Sequence, residues 1–204
     1  MPRGRPREFD ADKALDAALM LFWRRGYEGA SLAALTRAMR INTPSLYAAF
    51  GSKEKLFHKA LERYLQKPAS YLPAALKEPT ARGAVEKLFR GAIRMVMNRR
   101  HPDGCMLVQG ALACGPEAEP IRRELNRCRA AAETALRRRF ELAAAKRDLP
   151  PGADAAQLAR FIITLLWGLS VQAAGGASRA QLQSVADFAM RCWPSTSTKL
   201  KSIK

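Results

Sequence analysis

An all-α protein of about nine helices is the fold class this 204-residue sequence predicts, and three observations carry it. Apolar residues return every three or four positions through most of the chain, with no alternating apolar–polar run of the kind a half-buried strand needs. Glycines and prolines gather at the ends of those periodic runs, at Gly26, Gly51, Pro68 and Pro73, Gly115-Pro116, Pro150-Pro151-Gly152 and Gly175-Gly176. Finally, residues 31–53, SLAALTRAMRINTPSLYAAFGSK, spell two short helices joined by a tight turn.

Residues 1–8, MPRGRPRE, carry no apolar pattern and are expected to be a disordered basic arm when free. Within it Arg3, Arg5 and Arg7 alternate with Gly4 and Pro6, which resembles the core of an AT-hook: a thin extended strand whose arginines enter a narrow minor groove. A solvated tail that touches phosphates is the plainer reading, and both readings put the arm on DNA. The first helix is predicted from about Asp10 to Arg25, with Leu15, Ala18, Leu19 and Phe22 inward and Gly26 as its stop. Ser31 is placed to cap the next helix by accepting from an unpaired amide, and Leu32, Leu35 and Met39 share one face. Arg40-Ile41-Asn42 makes the turn, Thr43 is read as the following cap, and Pro44 takes the first helical position, where its missing N–H costs nothing.

In that helix Leu46 and Phe50 point inward, Pro44, Tyr47 and Ala48 point away, and Thr43 and Ser45 lie at the sides. A fourth helix is expected from about Lys53 to Leu65, ended by Pro68 and Pro73, which serve as the domain boundary. Further helices are predicted at about 80–99, 105–114, 117–146, 153–174 and 178–193, and the polar tail 194–204 is expected to be disordered. The domain reading is therefore arm 1–8, small domain 9–66, larger domain 74–193 and tail 194–204.

An outward face of small polar residues with one tyrosine is unusual for a solvated helix. It suits a helix that slides into a DNA major groove, where short side chains let the backbone approach and hydroxyls reach phosphates and bases. Lys53 would follow the corner with its ammonium towards a phosphate. From Phe9 to about Leu61, on FWRRGYEGASL and SLYAAFGSKEKLF, the chain resembles the DNA-binding domain of TetR/AcrR-family transcriptional regulators. The resemblance implies an N-terminal three-helix helix-turn-helix domain, a C-terminal helical ligand-binding and dimerisation domain, and a regulator that is most often a repressor. It implies DNA contacts from Ser31, Arg40, Thr43, Pro44, Ser45, Tyr47, Ala48 and Lys53. One departure stands out: the family usually has glycine at the turn position held here by Arg40, and a left-handed arginine costs about 1 kcal/mol.

The formal net charge of +17 points to a polyanionic partner. Residues 1–64 carry +5 of it and the rest +12, so charge alone does not locate the DNA site. Four cysteines, Cys105, Cys114, Cys128 and Cys192, without a CxxC pair and without an apolar leader, fit reduced thiols in a bacterial cytoplasm. The longest uncharged stretch, 161–178, contains Thr164, Ser170 and Gln172 and is expected to be a buried soluble helix, so no membrane partner is predicted. No phosphate loop, dinucleotide fingerprint, nucleophile elbow or HExxH motif occurs, and the two histidines, His58 and His101, lie far apart; catalysis, cofactors and metals are not expected.

A small-molecule effector pocket is expected among Phe89, Ile93, Val96, Met97, Cys105, Met106, Gln109, Leu112, Phe140, Phe161, Leu165 and Trp167, on helices that should face one another. The plainer reading of the same residues is core. Cys105 opens a predicted helix near Arg99 and Arg100, which would favour the thiolate. Its Gly-Cys pair resembles that of family members that sense electrophiles or oxidants, so a thiol sensor stands beside a non-covalent one. Cys114 would lie about 13 Å further along an intact helix, too far for a disulfide. Phe161, Leu165, Leu169, Leu182, Val185, Ala186 and Ala189 oversupply the last two helices with apolar side chains, as a two-fold interface with a second copy would require. The rival from another class is an architectural DNA-binding protein without effector.

Overall fold

The structure is a computed structural model and describes residues 9–111 and 114–194; Arg3, Arg5, Arg7 and Leu112 lie outside the described residues. Ten α-helices and one short 3-10 turn make up the described fold, and no strand occurs among those residues. The head is α1 (Ala11–Gly29), α2 (Leu32–Met39), α3 (Thr43–Phe50) and α4 (Lys53–Gln66). The body is α5 (Tyr71–Ala75), α6 (Ala81–Val96), α7 (Met106–Gln109), α8 (Glu119–Ala145), α9 (Ala155–Ala174) and α10 (Arg179–Arg191).

Most helix starts are written locally. Asp10, Ser31, Asn42, Ser52, Thr80, Asp154 and Ser178 each accept a first-turn amide on the side chain, satisfying a donor the helix leaves unpaired. Ser178 and Gln181 complete a reciprocal capping box. The cap of α3 is Asn42 rather than Thr43: its longer side chain reaches the Ser45 amide at 2.8 Å, and Thr43 becomes the first helical residue.

Two further differences from the sequence reading are tertiary in origin. The pair Pro68 and Pro73 is not a bare linker, because Pro73 sits inside α5. The helix expected over 105–114 is only the four residues of α7, so the argument from an unbroken helix between Cys105 and Cys114 does not apply. Gly26 does end the first run of α1, as expected: at φ 68° and ψ −179° its backbone is not helical, and a short second turn carries the element on to Gly29.

In the head, α1 packs on α2 and α4. Phe22 and Phe57 meet edge to face at 5.1 Å, and Tyr27 adds a second edge contact to Phe57 at 5.4 Å. Each of the two phenylalanines is fully buried, worth roughly 2–3 kcal/mol in transfer from water. In the body α6 packs on α5, α9 and α10, while α8 lies along α9.

Head and body are joined by a strap, residues 104–111 and 114–115. The Trp23 indole donates to the Gly104 carbonyl at 3.3 Å, the Tyr27 amide to the Gly110 carbonyl at 3.1 Å, and the Gly115 amide to Glu28 Oε1 at 3.0 Å. Within the head, α4 is tied to α1 where Arg63 holds Asp12 and, at 2.9 Å, Asp16.

Candidate nucleic-acid interface and regulatory body

The α2–turn–α3 pair is anchored from beneath. Leu35, Leu46, Met39 and Phe50 are buried, while Thr43, Pro44, Tyr47 and Ala48 are exposed and Ser45 is half-buried. Tyr47 leaves 46% of its surface open, a large aromatic with no intramolecular reason to face water. Because Asn42 has taken the capping role, Thr43 presents its hydroxyl beside that tyrosine. Ser31 is different: its Oγ already accepts from the Ala34 amide at 3.2 Å, so it serves the start of α2 first.

The turn itself answers the question posed by Arg40. It adopts φ 56° and ψ 44°, the left-handed conformation that glycine tolerates best. Its amide reaches the Arg37 carbonyl at 3.3 Å and the Ile41 amide reaches Thr36 at 3.1 Å, closing the helix end in the usual reverse-bonded way. The strained backbone is the cost of an exposed guanidinium at this corner of the head. Arg40→Gly is therefore expected to raise head stability by about 1 kcal/mol, read as an upward shift in thermal melting. The same variant should bind DNA more weakly and with a shallower salt dependence. A melting point at or below the parent's would exclude strain at this site.

Lys53 opens α4, and its ammonium lies 4.5 Å from the centre of the Tyr27 ring. Partial burial lowers its pKa from the ordinary lysine value. It is pinned at the head's corner rather than swinging free, which favours one defined contact over many diffuse ones. Arg37, which the sequence reading passed over, lines an open groove with Arg40, Asn42 and Thr43. The signal was available: Arg37 falls opposite Leu35 and Met39 on α2.

In the body the expected pocket residues among those described are spread between core and surface. Phe89, Ile93, Val96, Met106 and Phe140 are buried core, Met97, Leu165 and Trp167 are half-buried, and Phe161 and Gln109 are exposed. The apolar spacing had marked helix–helix contact. A cleft of about 640 Å³ opens elsewhere, between α1, the α4–α5 link and α6.

Cys105 is buried at the start of the strap, with its Sγ 3.1 Å from the Tyr64 hydroxyl; the same hydroxyl lies 3.4 Å from Met95 Sδ. Burial pushes its thiol above the ordinary value, outweighing the hydrogen bonds from Tyr64 and the α7 amides that lower it. This reverses the expectation of a thiolate favoured by Arg99 and Arg100; the cation that acts on it is Arg129, and weakly. Burial likewise holds the Tyr64 phenol well above its usual range. His101 lies against Trp23, ring centres 5.0 Å apart, and its Nδ1 is 3.2 Å from the Met95 carbonyl, a local role at the end of α6. Among the described residues no group of three or more histidine, cysteine or carboxylate side chains could hold a metal.

The last two helices present a second exposed feature. Leu169, Leu182, Ala186 and Ala189 are buried inside the protomer and belong to its own core. The unpartnered face is the neighbouring stripe: Phe161, Val171, Val185 and Phe188 are exposed, Leu165 is half-buried, and a Cβ placed on Gly168 would meet nothing within 4 Å. By length and composition α9 could also cross a membrane, but one side of it is packed on α8 and α6.

A capped helix–turn–helix on a head tied to a larger helical body is the make-up of a DNA-binding transcriptional regulator. Residues 14–60 match the family model of bacterial regulatory proteins, tetR family, and residues 81–188 match that of the Tetracyclin repressor-like C-terminal domain. The chain belongs to the TetR family of transcriptional regulators. It is 34% identical to the HTH-type transcriptional repressor ComR of Escherichia coli strain K12, over 94% of this chain and 92% of that one. It is 36% identical to the repressor BdcR of the same strain, over 91% and 90%. A solved structure of a cysteine mutant of the TetR family regulator CifR, complexed with 26 bp double-strand operator DNA, superposes with a TM-score of 0.89 at 46% identity, covering 93% of this chain and all of that one.

Proposed function

We propose that the protein is a homodimeric repressor that docks one α3 in each of two major-groove half-sites and leaves its operator when a small molecule binds the body. Residues 9–66 act as the reading head and 74–193 as the effector-binding and dimerisation unit. The observation that carries this reading is the exposed Thr43–Ala48 surface on a helix whose other face is fully anchored. The bound operator of CifR, and the repressor names of ComR and BdcR, support it. Tyr47 and Thr43 supply base and phosphate contacts, Pro44 and Ala48 apolar ones, and Arg37, Arg40 and Lys53 flank them with charge. Soluble action on DNA in the cytoplasm follows from the same reading.

The test is footprinting of the purified protein on its own upstream DNA across a salt series. A two-fold-symmetric footprint that weakens about tenfold or more in Tyr47→Ala is expected, the loss of one good base contact being about 1–3 kcal/mol. Uniform coating of any DNA with a steep salt dependence, unchanged by Tyr47→Ala, would return the architectural reading.

One observation favours a second, thiol-switch version of the same regulator. Cys105 sits in closely packed surroundings at the root of the strap, so any group added to its sulfur must push Tyr64, Met95 or the strap aside. Its raised pKa makes the reaction slow at neutral pH and accelerating as pH rises towards the thiol's pKa. Alkylation by iodoacetamide at pH 7 is expected to label exposed Cys192 well before Cys105. Once Cys105 is modified, DNA should be released, while Cys105→Ser binds DNA normally and ignores the reagent. Persistent binding by fully alkylated protein would exclude the switch.

A further inference from the structure

The cleft of about 640 Å³ is lined from two sides that belong to different parts of the molecule. Leu19 and Met20 come from α1, and Tyr71 and Met95 from α5 and α6, giving an apolar floor. Tyr71 stands so close to α6 that a Cβ on Gly91 would fall 2.5 Å from its own Cβ; only glycine allows this wall.

The rim is cationic. Lys87, Arg90 and Arg94 occupy one face of α6, and Lys67 faces them across the opening. Two of these charges are spoken for, since Lys87 pairs with Glu78 and Lys67 lies 3.9 Å from Asp16, the one carboxylate lining the cleft. Among the described residues, Arg90 and Arg94 have no carboxylate within 4.0 Å. They stand one helical turn apart, where like charges repel by a few tenths of a kcal/mol.

In a chain of net charge +17 exposed arginines are common, and a basic rim by itself selects nothing. What distinguishes this place is the combination: an apolar floor deep enough for a ring system, two unpaired guanidiniums above it, and walls contributed by both head and body. We infer that this cleft is the effector site and that it takes an amphiphilic organic anion, a carboxylate or sulfonate on an aromatic or aliphatic body. The anion lies between Arg90 and Arg94, relieving their repulsion, and the apolar body rests on Leu19 and Met20. This deepens the repressor reading and rests on it for the consequence: an occupant wedged between α1 and α6 biases the angle between head and body. At the same opening Asp16 of α1 is held by Arg63 and Lys67 from the end of α4, the helix that leads into the body.

The experiment uses two fluorescent probes of nearly the same shape, the anion 8-anilino-1-naphthalenesulfonate and the neutral N-phenyl-1-naphthylamine. The anion is expected to saturate at one site per protomer. Arg90→Ala combined with Arg94→Ala, both at exposed positions, should weaken it at least tenfold while leaving the neutral probe unchanged. In parallel, saturating anion should lower affinity for the upstream DNA in the parent protein and not in the double variant. Equal anion affinity in parent and variant overturns the site; unchanged DNA affinity at saturation overturns its role as effector site. If the ligand-free protein forms no specific DNA complex, the repressor reading fails instead, and the probe comparison still decides the site.

Discussion

Phe188→Glu is expected to turn the protein from dimer to monomer at micromolar concentration and to abolish specific operator binding. Phe188 is 61% exposed, Val171 52%, Phe161 48% and Val185 42%, all on one side of α9 and α10. Soluble monomers rarely leave such a contiguous apolar face open to water. At Gly168 the face has a notch without any atom near a would-be Cβ, which lets a second helix approach closely. Two copies related by a two-fold axis bury the same face on each side, and about 800 Å² per partner makes an interface of ordinary stability.

A central aromatic in such an interface is worth at least about 2 kcal/mol, and a buried unpaired carboxylate adds its own desolvation cost. The effect on DNA is larger still. A monomer presents one reading helix, so it loses the second half-site and falls towards non-specific affinity, a loss of about a thousandfold or more. Sedimentation velocity and footprinting on the same sample check both halves. Leu142→Glu is the comparison: Leu142 is as exposed, at 60%, but Arg138 and Lys146 flank it one turn to either side, and it should change neither mass nor binding. A Phe188→Glu protein that stays dimeric would place the interface elsewhere.

How much of this was written in the sequence depends on the range of the interaction. Helix starts were legible because a cap is a contact across three residues: Asp10, Ser31, Ser52, Thr80, Asp154 and Ser178 announce themselves. Even so, Asn42 and Thr43 are both good caps, and only the backbone path decides between them. Helix α5 was missed because Pro73 reads as a breaker. In the first turn the amides have no helical partner, so proline is tolerated there. The end of α7 is not legible locally because it is set by a residue 83 positions away, Tyr27, whose amide claims the Gly110 carbonyl.

The exposed apolar stripe and the cleft are long-range features too. A helix apolar on two sides announces two buried contacts, but periodicity does not say which belongs to the protomer. Leu182, Ala186 and Ala189 went inward, and the stripe beside them, with the unforeseen Phe188, stayed exposed. A cavity is the place where packed helices fail to meet, and a list of apolar residues marks where they succeed. That is why Phe89, Ile93 and Phe140 proved to be core. The cleft instead took its walls from α1 and α6, two helices that no local pattern pairs.

Gly26→Ala is expected to destabilise the protein by about 2 kcal/mol and to loosen the head from the body. Gly26 and Arg40 both have positive φ, yet their substitutions should act in opposite directions. Arg40 lies in the left-handed helical well, which any L-residue reaches at modest cost. Gly26, at φ 68° and ψ −179°, lies in a region essentially reserved for glycine. A Cβ there would also come within 3.1 Å of the Gly110 carbonyl oxygen, a backbone atom that cannot swing away. That carbonyl holds the Tyr27 amide, and Tyr27 in turn packs on Phe57 and carries Lys53 over its ring. Strain at Gly26 therefore reaches the strap and the Lys53 corner of the head together. For a chain of this size about 2 kcal/mol corresponds to a fall in melting temperature of roughly 4–8 °C. Faster hydrogen exchange should appear at the Tyr27 amide before the helix interiors, because the bond to Gly110 is the first to open. An unchanged melting temperature with full protection at Tyr27 would mean the strap does not clamp the head, and the signal from body to DNA would then have to run through α4 alone.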